Sequence, residues 1–180
     1  QAMKLTRALG AIPVGTVSSQ HKKDFLLAMG FDDVIVRQTP MAPQLNALPG
    51  FDLVLDAIGG EVQKASFNAL NPMGRLVVFG AAEFTPGKNR PQYLKAIWQY
   101  FKRPRYDVMD MISSNKAVMA FNLIWLWEQI PLMRALIVEM NKVEISPPHV
   151  GHEFPFSQAH QAIECLRSGQ TLGKVVLLLD

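Results

Sequence analysis

The stretch FDLVLDAIGGEVQKASFNALNPMGRLVVFGAA, residues 51–82, decides the fold. Its first part, FDLVLDAIGG, contains the continuous apolar run Leu53, Val54 and Leu55 and ends at a glycine pair, which is typical of a buried parallel strand. EVQKASFNALNPMG has the pattern of a helix and its stop, and GRLVVFGAA is a second apolar strand that ends in Gly80 and small residues. This alternation predicts an α/β fold: a doubly wound parallel sheet with helices on both faces and a ligand at the carboxyl ends of its strands.

The residues before this stretch continue the alternation. QAMKLTRAL (1–9) predicts a helix that stops at Gly10, AIPVGTVSS (11–19) contains a strand, HKKDFLLAMG (21–30) predicts a helix, and DDVIV (32–36) a short strand. Pro40 and Pro43 then mark a loop. The chain is therefore expected to open inside or at the start of a helix.

The residues after the stretch are less regular. TPGKNRPQ (85–92) predicts a loop, and YLKAIWQYFKRP (93–104) predicts a helix with Trp98 and Phe101 at its core positions. We expect a strand over residues 118–123, a helix over roughly 132–142, and a loop in SPPHVGHEFP (146–155). The last unit is predicted as a helix from about Ser157, a capping serine, to Gly169, followed by a closing strand.

Composition and charge narrow the class of protein. The 180 residues are 49% hydrophobic and 18% charged, which indicates one packed domain rather than a disordered or fibrous chain. A net charge of +3 would permit nucleic-acid binding, but much of the excess lies in one segment that we interpret as a solvated helix face, so no nucleic-acid partner is expected. The basic residues of that segment are Lys95, Lys102, Arg103 and Arg105.

The single cysteine and the longest apolar run indicate the compartment. Cys165 alone can build neither a disulfide nor a thiolate zinc cluster within one chain, so a reducing, cytoplasmic location is expected. The apolar run of residues 119–140 is interrupted by Glu128, Pro131 and Arg134, which a membrane span tolerates poorly. We therefore expect no membrane span.

Four segments together carry a family resemblance. RALGAIPVGTVSS, the stretch 51–82 and AHQAIECLRSGQTLGKVVLLL resemble, in order and spacing, the cofactor domain of the medium-chain dehydrogenase/reductases, and most closely the zinc-free quinone oxidoreductase branch. DVMDMISSNKAVMAFNLIWLWE is similar to the bacterial relatives of the synaptic vesicle amine-transport-like oxidoreductases. The resemblance implies a Rossmann-like fold and hydride transfer from a nicotinamide cofactor.

The resemblance also implies that parts of the family pattern precede this chain. In the family, a first strand and a glycine-rich turn come immediately before the helix that here begins at QAMK, and a substrate domain comes earlier still. We interpret residues 1–180 as a nucleotide-binding domain truncated at its N-terminus, which is expected to be inactive alone. The missing strand would lie mid-sheet, so either the second and fourth strands pair directly or a second chain intervenes.

The end of the first strand in this chain bears on the choice of cofactor. Sites that prefer NAD commonly place an acid there, whereas Ser18 and Ser19 are neutral donors, which suit a 2′-phosphate. The resemblance implies phosphate contacts at Lys22 and Arg37, and hence NADPH rather than NADH. By pattern alone, Lys22 and Lys23 fit the exposed face of a helix equally well.

The other strand ends supply the remaining cofactor predictions. The resemblance implies that Ala57, Ile58 and Gly59 contact the adenosine side of the cofactor and that Phe79, Gly80 and Ala81 lie near the nicotinamide ribose. It also implies that Phe121 and Asn122 lie beside the nicotinamide, and that the pair Gly173 and Lys174 closes over the cofactor. Without the resemblance, such glycines are ordinary turn residues and Lys174 a solvated edge charge.

Several other residues are discounted as sites. His149 and His152 lack a third ligand and a nearby cysteine, so a zinc site is not expected. The two serines lack the G-x-S-x-G turn of a serine nucleophile. Asp56 could act as a base, but in the family it is structural or adjacent to the cofactor. No catalytic residue is assigned.

The resemblance implies a function, beside which two alternatives stay open. NADPH would deliver hydride to a quinone or to an α,β-unsaturated carbonyl, in a homodimer formed through the strand from Val118 to Leu123. FDLVLDAIGG and LNPMGRLVVFG also resemble the middle of an S-adenosylmethionine-dependent methyltransferase, although the GQTLGKVVLLLD ending speaks against it. MAFNLIWLW could alternatively belong to a non-catalytic interaction module.

Overall fold

The computed structural model describes residues 1–38, 40–82, 97, 98 and 100–179. The chain divides into two compact units: unit 1 contains Gln1–Arg37 and Arg134–Asp180, and unit 2 contains Gln38–Met133. The predicted loop at 85–92 and the first residues of the helix predicted at 93–104 lie outside the described residues.

Helices and parallel strands alternate along the chain. The helices are α1 (Ala2–Ala8), α2 (Gln20–Ala28), α3 (Ala42–Asn46), α4 (Gly60–Asn68), α5 (Val108–Ser114), α6 (Ile130–Asn141) and α7 (Ala159–Ser168). The strands are β1 (Gly15–Val17), β2 (Val34–Val36), β3 (Phe51–Asp56), β4 (Leu70–Val78), β5 (Ala117–Ala120), β6 (Val150–Pro155) and β7 (Lys174–Leu178). Two 3-10 segments, Leu123–Gln129 and Phe156–Gln158, precede α6 and α7.

The strands form three separate parallel sheets. Unit 1 contains the pairs β1–β2 and β6–β7, and unit 2 contains the sheet β3–β4–β5. The predicted α/β class with parallel strands and flanking helices is confirmed. How the place of the missing first strand is filled, by direct pairing of the second and fourth strands of the family pattern or by a second chain, stays a prediction.

Strand β3 is less buried than its sequence predicts. Leu53 and Leu55 are 56% and 49% exposed, whereas Asp56 is 3% exposed. Successive side chains of a strand point to opposite faces, so Leu53 and Leu55 share one face and Asp56 lies on the other. Helix α4 contacts this strand, and within the described part of unit 2 the face of Leu53 and Leu55 is left uncovered. The core of unit 2 instead centres on Leu76 of β4, which is fully buried.

Several predicted boundaries are wrong for local reasons. Pro43 lies in the first turn of α3, where the N–H group that proline lacks has no intrahelical partner to lose. Trp98 and Phe101 are exposed rather than core residues. The strand predicted to end at Leu123 stops at Ala120, because the Asn122 side chain accepts a hydrogen bond from Ile124 N and starts a 3-10 segment.

The C-terminal part corrects two further predictions. Residues 150–155, predicted as loop, form β6, which pairs in parallel with β7. Helix α7 begins after Gln158, and no serine side chain caps it, since Ser157 lies within the preceding 3-10 segment. Gly169 ends α7 in the left-handed conformation, with φ of 71°, as the glycine stop predicts.

Candidate functional site

The carboxyl end of β3 is a tight turn built on Asp56. Its Oδ1 accepts hydrogen bonds from Ile58 N at 2.9 Å and Gly59 N at 3.3 Å, and its Oδ2 lies 3.2 Å from Gly59 N. Gly59 has a φ of 89°, a conformation that L side chains rarely adopt. The sequence predicted the contact residues of this turn but missed what Asp56 does there; an Asp three residues before a glycine was the available signal.

The end of β4 packs directly on this turn. Phe79 N donates to Asp56 O at 3.0 Å, and Ala82 N donates to Ala57 O at 3.1 Å. A Cβ atom added to Gly80 would lie 2.9 Å from Ala57 O and 3.0 Å from Ala57 Cα. The structure therefore brings the predicted residues of the two strand ends, Ala57–Gly59 and Phe79–Ala81, into contact, and only glycine fits at position 80.

The end of β5 joins the same edge of unit 2. Phe121 N donates to Val78 O at 3.1 Å, and the rings of Phe79 and Phe121 stack with centroids 6.3 Å apart. Both rings are about half exposed. Asn122 follows, with its side chain occupied in starting the 3-10 segment. Three parallel strands thus end together in small residues and two exposed aromatic rings, a surface suited to a flat ligand.

In unit 1, the end of β1 carries the two predicted serines. Ser18 is exposed. Ser19 is the N-cap residue of α2, but its side chain makes no capping bond, and its Oγ atom is buried without a hydrogen-bond partner among the described residues. A buried hydroxyl without a partner is costly in a folded protein, so this atom is a candidate for a ligand hydrogen bond.

Lys22 and Arg37 both hold main-chain carbonyl groups of unit 1. Lys22 Nζ donates to Gly169 O at 2.7 Å, at the C-terminus of α7. Arg37 Nη1 donates to Thr16 O at 3.1 Å and to Thr16 Oγ1 at 3.2 Å, and burial lowers the pKa of its guanidinium group. Lys22 is half-buried, so the interpretation of it as a merely exposed helix residue is wrong. Each side chain keeps further N–H donors for an anion.

The predicted Gly173–Lys174 pair lies at the start of β7. Gly173 has a φ of 76°, and a Cβ atom there would collide with the His149 carbonyl group. Lys174 N donates to His149 O at 2.8 Å, and the Lys174 side chain is exposed. This main-chain bond extends the ladder of β6 and β7 by one residue and fixes the turn.

Tyr106 is a buried polar group of unit 2 that the sequence did not reveal. Its hydroxyl is buried without a hydrogen-bond partner among the described residues, and its ring packs against Phe67 with centroids 4.8 Å apart. Burial, and secondarily the negative charge of Asp56, raises the pKa of Tyr106 to about 12. The phenol is therefore neutral at physiological pH.

A cavity of about 440 Å³ lies in unit 2, away from the predicted contact residues. It is lined by residues of α4 and of the segment around α5, among them Phe67, Arg105 and Asp110. None of the predicted cofactor residues lines it. Searched over the described residues, the protein has no helix long and apolar enough to cross a membrane.

Comparison with known proteins gives one family over most of the chain. The family described as zinc-binding dehydrogenase matches residues 29–177. The human synaptic vesicle membrane protein VAT-1 homolog is 25% identical over 98% of this chain, an alignment that covers 46% of the human protein. The chain thus spans about half the length of the curated relatives it matches.

Solved structures show the same fold. The quinone oxidoreductase of Thermus thermophilus, whose structure is known in complex with NADPH, is 29% identical with a TM-score of 0.69, over 98% of this chain and 52% of that one. The CurK enoyl reductase is 21% identical with a TM-score of 0.67, over 99% of this chain and 50% of that one, and supports the fold.

The family's description raises the question of a zinc ion. Within residues 1–38, 40–82, 97, 98 and 100–179, no three or more His, Cys, Asp or Glu side chains are grouped so that they could hold a metal. The ring of His149 packs against Phe25, with centroids 5.0 Å apart. The donor groups of this part of the chain do not fit a zinc site.

Proposed function

The chain belongs to the zinc-binding dehydrogenase family, and we propose that it is the cofactor-binding part of an NADPH-dependent oxidoreductase that reduces a quinone or an α,β-unsaturated carbonyl. One observation carries this proposal: Ala57, Gly80 and Phe121, from the ends of three neighbouring parallel strands, meet at one edge of unit 2. Ligands of open parallel sheets bind at such an edge.

We assign the contact residues of each unit separately. In unit 2, Ala57, Ile58 and Gly59 contact the adenosine side, Phe79, Gly80 and Ala81 lie near the nicotinamide ribose, and Phe121 and Asn122 lie beside the nicotinamide. In unit 1, Ser18, Ser19, Lys22 and Arg37 bind the 2′-phosphate and ribose, and Gly173 and Lys174 close over the cofactor. Two features support this assignment: Ser19 Oγ, which is buried with no hydrogen-bond partner among the residues that the structure describes, and the lack of room for a side chain at Gly80, which lets the backbone approach a ligand.

The preference for NADPH rests on charge. The end of β1 carries neutral hydroxyls, and two cations, Lys22 and Arg37, lie in the same unit with unused N–H donors. A 2′-phosphate forms charge-assisted hydrogen bonds with such groups. The NADPH complex of the Thermus thermophilus quinone oxidoreductase is consistent with this choice.

The chemistry follows mainly from the cofactor. When bound, NADPH supplies the hydride, and the residues of this chain bind and orient it at a surface of backbone and aromatic rings. No side chain described here is assigned as a proton donor to the substrate. We propose that the reaction needs no zinc, and a cytoplasmic location stays a prediction.

Thermal-shift titration of the chain with NADPH, NADH and S-adenosylmethionine tests the proposal. A ligand that binds only the folded state raises the melting temperature. At a hundredfold excess over its Kd, it adds about 2.7 kcal/mol to the free energy of unfolding. We expect NADPH to give the largest shift. A larger shift with S-adenosylmethionine would favour the methyltransferase alternative, and no shift with NADPH would contradict cofactor binding by this chain.

We propose a homodimer through β5 as the second element of the function. β5 bonds only to β4 among the described residues, and Met119, Phe121 and Leu123 on and after it are exposed apolar residues. An exposed strand edge with apolar neighbours is a common dimer surface. Light scattering of Leu123→Lys should show the mass of a monomer, whereas Leu9→Lys, a control at an exposed leucine of unit 1, should leave the dimer intact. A dimer in both variants would contradict this interface.

A further inference from the structure

Asp56 is a buried charged residue to which the proposed hydride transfer gives no role. It is 3% exposed, and its two carboxyl oxygens accept hydrogen bonds from Ile58 N and Gly59 N, at 2.9 to 3.3 Å. Both N–H groups therefore donate to the buried Asp56 carboxyl group. The turn 57–59 therefore takes its conformation from this one side chain.

The main chain links this turn to the end of the next strand. Phe79 N donates to the carbonyl of Asp56 itself, and Ala82 N donates to the carbonyl of Ala57. Gly80 packs so closely on Ala57 that a Cβ atom would lie within 3.2 Å of three Ala57 atoms. A displacement of the turn 57–59 must therefore displace residues 79–82 as well.

We propose that Asp56 is a positioning residue for the cofactor: its carboxyl group sets the turn 57–59 through the Ile58 and Gly59 amides, and this turn holds residues 79–82 through the hydrogen bond from Ala82 N to Ala57 O and the close packing of Gly80 on Ala57. This inference rests on the proposed function, because it takes both segments as cofactor contacts. Asp56 acts without touching the ligand, so its loss should weaken binding even in a folded protein.

The test compares two aspartates of the same strand. Asp56→Asn keeps the shape of the side chain but places an NH₂ group against one of the N–H donors, so one hydrogen bond is replaced by a contact between two donors. We expect its Kd for NADPH to rise about tenfold, because a turn that has lost one hydrogen bond to a charged group populates the binding conformation about tenfold less. Asp52→Asn, at an exposed residue whose Oδ1 accepts from Asn71 Nδ2 at 3.0 Å, should leave the Kd unchanged.

Affinity separates positioning from plain stability. All Kd values are measured well below the melting temperature of each variant, where every molecule is folded. A lowered melting temperature with an unchanged Kd would overturn the inference. If Asp56→Asn does not fold, Asp56→Ser, which keeps one oxygen acceptor, replaces it in the test. A Kd of Asp56→Ser equal to that of the wild type would also contradict the inference.

Amide NMR tests the link between the two segments. In a folded Asp56 variant we expect the Ala82 amide resonance to shift, although Ala82 bonds to Ala57 and not to the Asp56 side chain. An unmoved Ala82 resonance would refute the link. Failure of the wild-type chain to bind NADPH would contradict the proposed function, whereas wild-type binding with an unaffected Asp56→Asn variant would contradict this inference alone.

Discussion

The predicted contact residues after β3 in unit 2 and after β1 in unit 1 both lie at the carboxyl end of a parallel strand, but the two sites are built differently. In unit 2, the predicted contact residues are held by main-chain bonds, a buried carboxyl group and a glycine without room for a side chain. In unit 1, they are side chains: a buried hydroxyl that finds no partner among the described residues, and two cations that hold carbonyl groups. The effect of a substitution should therefore depend on side-chain size after β3 and on side-chain charge after β1.

The largest expected effect tests the steric side of this comparison. Gly80→Ala places a Cβ atom 2.9 to 3.2 Å from main-chain and Cβ atoms of Ala57, which cannot move independently. We expect a loss of about 2 kcal/mol in the free energy of unfolding, typical of overpacking. Gly15→Ala in β1 is the matched control, because its Cβ atom would meet the flexible end of Met3, and it should cost less than about 1 kcal/mol. Equal losses in urea unfolding would break the comparison.

A smaller effect tests the charged side. Lys22→Gln removes a cation while keeping a donor for Gly169 O, so we expect the Kd for NADPH to rise about tenfold, as for one charge-assisted hydrogen bond, with little change for NADH. Lys23→Gln, a neighbour with no assigned phosphate contact, should change neither Kd. Isothermal titration of both variants with both cofactors measures the ratio, and an unchanged ratio for Lys22→Gln would contradict the assignment.

The smallest effect concerns Tyr106, whose buried hydroxyl has no hydrogen-bond partner in the part of the chain that the structure describes and feels the negative charge of Asp56. Tyr106→Phe should raise the free energy of unfolding by about 1 kcal/mol, since it removes an unpaired buried polar group. Tyr100→Phe, at an exposed tyrosine, should change it by less than about 0.5 kcal/mol. A destabilised Tyr106→Phe in chemical denaturation would show that the hydroxyl has a stabilising role.

The stability of the protein at high pH also tests the burial of the Tyr106 phenol. The pKa of Tyr106 is raised from 10.0 to about 12 in the folded state, so the folded protein resists ionisation of the phenol and loses stability as the pH rises from 10 toward 12. The wild type should lose stability over this range more steeply than Tyr106→Phe. Parallel slopes for the two proteins would contradict burial of the phenol.

The sequence predicts the alternation of elements well where a short strand ends at small residues, as β1 does at Ser18 and β3 at Ala57. It fails where side chains decide a boundary: Asn122 stops β5 early, and no signal in SPPHVGHEFP reveals that β6 will find β7 as its partner. It also overstates the burial of Leu53 and Leu55, since periodicity cannot say which face is covered.

For the candidate site, the sequence predicts which strand ends carry the residues but not the hydrogen bonds that these residues form. The residues 57–59 and 79–81 do come together, as strand ends of one parallel sheet must. The hydrogen bond of Lys22 to Gly169 joins residues 147 positions apart, which no local pattern encodes. The roles of all these residues in cofactor binding stay predictions.

The division of the chain has a consequence for the order of folding. Unit 2 is one continuous segment, so during synthesis it can fold once Met133 has left the ribosome. Unit 1 needs both Gln1–Arg37 and the residues after Arg134, and it must close a long loop before contacts such as Lys22–Gly169 can form. On the ribosome, β1 and β2 therefore emerge well before β6, α7 and β7, and unit 1 is completed after unit 2.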